Sequence, residues 1–215
     1  MRTQPHVFAH PQEIDMSTAS TTLRELTGQA ASPAPLSESA LIIVDAQNTY
    51  RSGVMQLSAI EPALEQCARL LERARGLKIP VVHIQHDAGP GTPYDINAEV
   101  GAIIDMVAPV AGEAVVVKNY PNSFVSTDLD TRLKAANIKN LVVAGFMTHM
   151  CINSTARGAF NLGYAVTVPA AATATRSLPA PDGSVVSAAS MQSAALAALA
   201  DLFAVVVPDE AAIPD

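Results

Sequence analysis

At 215 residues the chain is sized for one domain with a substantial core, and 49% hydrophobic against 15% charged residues excludes a disordered chain. A net charge of −7 with no Lys/Arg cluster argues against nucleic acid or an anionic membrane as the main partner. No apolar run approaches the roughly 20 residues of a membrane span, no charged-then-apolar leader opens the sequence, and two cysteines make no disulfide framework. A cytoplasmic, reducing location is expected.

Residues 1–39 carry Pro5, Pro11, Pro33 and Pro35 among many Ser and Thr and lack sustained periodicity. They read as a flexible or partner-clasping arm, with a short helix near Thr21 to Leu26, ahead of a domain at 40–215. LIIVD (41–45) is a short apolar run ending in a charge, the pattern of a buried parallel strand. Glu61-Pro62 opens a helix whose Leu64, Cys67, Leu70, Leu71 and Ala74 share one face, and Gly76 is expected to end it. IPVVHIQ (79–85) reads as a second strand, Asn97 to Val107 as a further helix, and AVVVK (114–118) as a third strand, again ending in a charge.

Thr127 to Asp130 resembles a capping box opening a helix to about Asn137. LVVAGF (141–146) is the fourth strand, followed by a turn and a helix to about Leu162, with Cys151 in its first turn. AVTVP (165–169), an Ala-rich helix over Val186 to Leu202, and FAVVVP (203–208) complete the series. Strands alternating with helices predict an α/β, three-layer αβα fold with a parallel sheet covered on both faces, Rossmann-like.

In such sheets ligands bind beyond the carboxyl ends of the strands, where the strand order reverses. Strand one ends in Asp45, strand three in Lys118, and strand four leads to Cys151. A thiol at a helix N-terminus feels the positive end of the dipole, which favours thiolate, and free N–H groups there can hold an oxyanion. Cys151 is thus the candidate nucleophile, Asp45 its proton acceptor and donor, and Lys118 the charge that steadies both. The chemistry this suits is acyl transfer to water through a thioester. Taken singly, each residue has a bland reading: a small buried hydrophobe, a loop cap, a surface lysine. Cys67, on the apolar stripe of its helix, takes the bland one.

The stretches LIIVDAQNTY (41–50), VVVKNYPNSF (115–124) and VAGFMTHMCINSTARGAF (143–160) together resemble the isochorismatase-like cysteine hydrolases, a superfamily that includes nicotinamidases, N-carbamoylsarcosine amidases and ureidoacrylate amidases. The resemblance covers about Ala40 to Pro208. It implies an Asp45–Lys118–Cys151 triad, a cis peptide at Phe146–Met147, an oxyanion hole from the Met147 and Cys151 N–H groups, a six-stranded parallel sheet and a homo-oligomer, a dimer or tetramer. Gln47, Tyr50, Phe124 and Thr148 fall where the superfamily lines its pocket, with packing as the rival role for Tyr50 and Phe124.

Nicotinamidases of this superfamily hold a metal through an Asp-x-His pair and a further His. Here His83 and His86 are three apart near a strand and point to opposite faces, and Asp87 follows directly. No metal or other cofactor is therefore expected, and nicotinamide is disfavoured as substrate. His149, two before Cys151, is read as a hydrogen-bonding residue of the turn or of a subunit interface. The expectation is a cofactor-free cysteine hydrolase cutting a C–N bond of a small amide or ureido compound. Two alternatives stand beside it: vinyl ether hydrolysis resting on the aspartate, and a non-catalytic member with Cys151 as an oxidisable sensor.

Overall fold

Apolar runs along the chain become strands of one sheet because each is flanked by segments that cover it. The computed structural model describes residues 20–215; residues 1–19 of the expected arm lie outside the described residues. In chain order the elements are α1 (Leu23–Leu26), β1 (Ser39–Val44), α2 (Ile60–Leu77), β2 (Val81–His86), β3 (Ala114–Lys118), α3 (Leu129–Ala135) and β4 (Asn140–Phe146). These are followed by α4 (Asn153–Asn161), β5 (Ala165–Pro169), the two-residue strands β6 (Thr173–Ala174), β7 (Leu178–Pro179) and β8 (Val185–Val186), then α5 (Ala188–Ala200) and β9 (Val205–Val207). Six strands run parallel in the order β3-β2-β1-β4-β5-β9, and β6 pairs alongside the end of β4.

Alternation along the strands sorts the core into two layers. Leu41 and Ile43 of β1 and Val142 and Ala144 of β4 pack with Leu64, Cys67, Leu70, Leu71 and Ala74 of α2. Ile42, Val44, Leu141 and Val143 face the other way, against Leu129 and Leu133 of α3, Ala156 and Ala159 of α4, and Leu199 of α5. The helix periodicity of α2 is therefore the periodicity that buries it. No helix among the described residues is long and apolar enough to cross a membrane. The described part of the arm is tied down: Thr22 and Glu25 form a capping box on α1, Leu23 and Arg24 donate to Asp201 at the end of α5, and Leu36 is buried in the core.

Three local expectations are corrected. The helix expected over Asn97 to Val107 is two short 3-10 turns, Glu99–Gly101 and Asp105–Val107. Its backbone is claimed from outside: Gly101 O accepts from the side chains of Gln47 and Gln85, Ala102 O from Asn48 N–H, and Ile104 N–H donates to Ala46 O. α2 runs past Gly76, and Lys78 takes the left-handed position (φ 58°). Lys78 N–H and Ile79 N–H fold back on the last turn, which turns Ile79 onto the core ahead of Pro80. No capping box forms at Thr127, whose hydroxyl donates to Ser123 O while Asp130 binds Lys134 and Tyr164.

The β1–β4 register ends at the pair Val44–Gly145. Gly145 has φ 112°, and a Cβ there would lie 2.1 Å from Val44 O. Gly145→Ala is expected to lower stability by about 3 kcal/mol, read as an earlier denaturant midpoint with unchanged slope.

At the opposite end of the sheet, Arg75 grips Glu113 through two contacts of 2.7 and 2.9 Å, and His83 Nε2 lies 2.9 Å from the same carboxylate. Hydrogen bonding from Arg75 is the main cause that holds Glu113 down at about 2. A carboxylate depressed on folding stabilises above its unfolded pKa and loses that contribution as pH falls through the folded one. Wild type is therefore expected to exceed Glu113→Gln by about 2 kcal/mol above pH 5, the gap closing between pH 4.5 and 2 in urea melts at fixed pH.

Candidate active site

The switch in strand order falls between β1 and β4, and the crevice beyond their carboxyl ends gathers the reactive side chains. Asp45 follows β1 directly with φ 49°, a left-handed backbone that is uncommon outside glycine and that departs from strand geometry at this step. Lys118 is the last residue of β3, and His86, the last of β2, is its register partner. The Phe146–Met147 peptide is cis. The chain then makes a π-helical turn, Thr148–Ile152, before α4 begins at Asn153. Cys151 thus sits in that turn rather than in the first turn of an α-helix, a correction to its expected placement.

The structure brings Asp45, Lys118 and Cys151 together. Lys118 Nζ donates to Asp45 Oδ2 at 2.7 Å, to Cys151 Sγ at 3.4 Å and to His86 Nδ1 at 3.0 Å. An ammonium has three N–H donors, and all three are used. Because Lys118 donates to Nδ1, the neutral His86 ring carries its proton on Nε2. Burial, with the Lys118 charge, brings His86 down to about 4, so it is neutral at pH 7. Asp45 and Lys118 are fully buried and Cys151 nearly so.

Enclosure also decides the thiol. Burial first, and the Asp45 charge second, push Cys151 up to about 12 against the pull of Lys118. Enclosure thus opposes the thiolate that a helix-start position was expected to favour. Burial likewise raises the Asp45 carboxyl, with Lys118 opposing. A base with a raised pKa next to a neutral thiol is placed to take its proton.

The second-tier candidates separate. Gln47 is used up as a brace: its Nε2 donates to His86 O (3.0 Å) and Gly101 O (2.7 Å), and its Oε1 accepts from His86 N–H (2.9 Å). It holds the end of β2. Phe124 stacks on Tyr164 against the α3–α4 side of the core, so packing is its role. Tyr50 is fully buried, edge-on to Phe146 and Tyr94 at 5.9 Å each. Thr148 is buried with a hydroxyl that has no partner among the described residues. His149 Nδ1 contacts Thr175 Oγ1 at 2.5 Å, beyond β6.

Two neighbours went unread as site residues. His86 obeys the same strand-end rule that selects Asp45 and Lys118, but its spacing was weighed only for metal binding. The Lys118 ammonium now occupies its Nδ1, and Asp87 accepts from Gly89 N–H (2.9 Å). Tyr94, from the loop after β2, lies edge-on to His86 at 5.0 Å, and no local signal distinguished it.

This strand order, with an aspartate, a lysine and a cysteine at the switch point, is placed by comparison with known proteins. The isochorismatase domain model matches residues 39–211, and the chain belongs to the isochorismatase family. It is 35% identical over 185 residues to the secreted isochorismatase effector Isc1 of Verticillium dahliae, covering 86% of this chain and 95% of that protein. It is 33% identical over 183 residues to the ureidoacrylate amidohydrolase RutB of Stutzerimonas stutzeri, covering 66% of this chain and 74% of that protein. The crystal structure of an isochorismatase from Pseudomonas putida KT2440 superposes with a TM-score of 0.85 at 39% identity, covering 88% of this chain and 97% of that one.

With the thiol at about 12, alkylation of Cys151 by iodoacetamide, followed by intact mass in a Cys67→Ser background, is expected to climb about tenfold per unit from pH 7 to 10. A plateau near neutrality would instead reveal a thiolate at rest.

Proposed function

We propose that the protein is a cysteine amidohydrolase that cuts a C–N bond of a small amide or ureido compound through a thioester. The observation that carries this reading is the single ammonium, Lys118 Nζ, 2.7 Å from Asp45 Oδ2 and 3.4 Å from Cys151 Sγ in a water-poor crevice. The Asp45 oxygen not bound to Lys118 is buried and has no hydrogen-bond partner among the described residues. A buried carboxylate oxygen left open is suited to a proton in transit.

In the first step the Cys151 proton passes to Asp45 as Sγ bonds to the carbonyl carbon and the carbonyl π pair moves onto oxygen. The oxyanion rests on the Met147 and Cys151 N–H groups. The carbonyl then re-forms, the C–N bond breaks, and the departing nitrogen takes the proton from Asp45. Water attacks the thioester, its proton going to Asp45; the C–S bond breaks and Sγ recovers that proton. Lys118 offsets the Asp45 charge at rest and the charge that gathers on sulfur during attack. The net change is amide plus water to acid plus amine, with the enzyme restored.

Membership of a family named for isochorismatase favours one second reading, hydrolysis of a vinyl ether with Asp45 as the acid. The two divide at the cysteine. Cys151→Ala and Asp45→Asn are each expected to cut kcat/KM on a small-amide panel by at least about 10³-fold, with circular dichroism unchanged. Activity that survives Cys151→Ala but not Asp45→Asn would replace the amidase with the ether hydrolase.

A further inference from the structure

Lys118 Nζ meets three acceptors, and the proposed reaction uses two of them: Asp45, at 2.7 Å, carries the proton, and Cys151 Sγ, at 3.4 Å, attacks. The third, His86 Nδ1 at 3.0 Å, has no part in those steps. His86 is nevertheless held from several sides. It is the register partner of Lys118 across β2 and β3, so the two side chains leave the sheet on one face. Gln47 takes both of its backbone groups, donating to His86 O at 3.0 Å and accepting from His86 N–H at 2.9 Å. The Tyr94 ring stands edge-on to the imidazole, with centroids 5.0 Å apart.

The kind of acceptor matters as much as its place. Asp87 is the next residue, yet its carboxylate accepts from Gly89 N–H at 2.9 Å while an imidazole faces the ammonium. Burial and the Lys118 charge keep that ring neutral at pH 7. A carboxylate in its place would add a second negative charge beside a thiol that the Asp45 charge already pushes up. An apolar side chain would leave one N–H of a fully buried ammonium without a partner, and the nitrogen would turn to share its remaining bonds differently. A neutral acceptor takes one N–H and leaves the charge to Asp45 and the sulfur.

The three acceptors also differ in what becomes of them. As attack proceeds, the Asp45 carboxylate takes up a proton and weakens as an acceptor. The Cys151 sulfur passes from thiol to thioester, in which it accepts poorly. His86 Nδ1 keeps its lone pair throughout. From this we infer that His86 is a positioning residue: its Nδ1 is the constant acceptor that keeps Lys118 aimed between Asp45 and Cys151 while those two change state. The inference rests on Cys151 as nucleophile and Asp45 as proton carrier, and it deepens that reading by bringing the end of β2 into the working site.

Substitution separates the acceptor from the bulk of the ring. Asn places an amide oxygen near the position of Nδ1 and accepts from an ammonium there, whereas Leu fills space and accepts nothing. In the full-length Cys67→Ser protein at pH 9, iodoacetamide alkylation of Cys151 is expected to slow about tenfold in His86→Leu and to recover to within about threefold of the starting rate in His86→Asn. On a small-amide panel His86→Leu should lower kcat about tenfold with KM nearly unchanged, and His86→Asn should restore most of it. Wild-type alkylation and turnover in His86→Leu overturn the inference. An equal loss in His86→Asn and His86→Leu also overturns it and marks the ring as packing.

A further measurement needs no functional variant. In protein carrying isotopically labelled histidine, the His86 ring, identified by its absence from the His86→Asn spectrum, is expected to show an unprotonated Nδ1 and a protonated Nε2 at pH 7. Both should persist after Cys151 is capped with iodoacetamide. A proton on Nδ1 in either state overturns the inference, because that nitrogen then has no lone pair for the ammonium. Alkylation and the ring-nitrogen spectra require no substrate, so a wild-type protein that cleaves no amide removes the amidase and leaves the aim of Lys118 standing. Amide cleavage undiminished in His86→Leu keeps the amidase and removes the positioning role.

Discussion

A lysine ammonium with no solvent exposure is costly unless every proton on it finds an acceptor, and Lys118 meets that condition with three partners from three other parts of the chain. Asp45 comes from the end of β1, His86 from the end of β2, and Cys151 from the turn after β4. Burial raises the Asp45 carboxyl and the Lys118 charge opposes it, and the same ammonium lies against the sulfur. Removing any one acceptor would leave a buried N–H without a partner. Those costs tie the strand ends to one another.

The rest of the crevice is arranged to serve that contact. Gly145 lets β4 come up against Val44, so the turn after β4 opens beside Asp45. Gln47 clamps the end of β2 through both His86 backbone groups, which keeps the imidazole beside the lysine. Ser123 and Thr155 join the loop after β3 to α4 through their hydroxyls. On the far side β6 carries Thr175 to His149. The site is thus assembled from strand ends, each held by a different neighbour, and its chemistry depends on enclosure: a neutral thiol, a raised carboxyl and a neutral imidazole all follow from exclusion of water.

Much of this was legible before any coordinates. Apolar runs bounded by turn residues become strands because only a covered sheet hides them, and the helical stripe of α2 becomes a buried face for the same reason. Asp45 and Lys118 stood out because a charge closing a buried strand has to emerge at the sheet edge. Other parts were hidden by long-range competition. Asn97 to Val107 has a helix-like pattern, but its backbone pairs with residues 46–48 and with Gln47 and Gln85, partners a local reading does not contain. The resemblance set Gln47 among the pocket positions; only the placement of β2 shows its amide bonded to His86 and Gly101.

The sequence by itself determined the parallel α/β layering and the meeting of Cys151 with Asp45 and Lys118, because these follow from hydrophobic period and from residues placed at strand ends. Only the tertiary structure decided the enclosure of the thiol, the tautomer of His86 and the bracing of Gln47. Those depend on desolvation and on hydrogen-bond partners contributed by elements far apart in the chain, and neither quantity exists until the strands are packed.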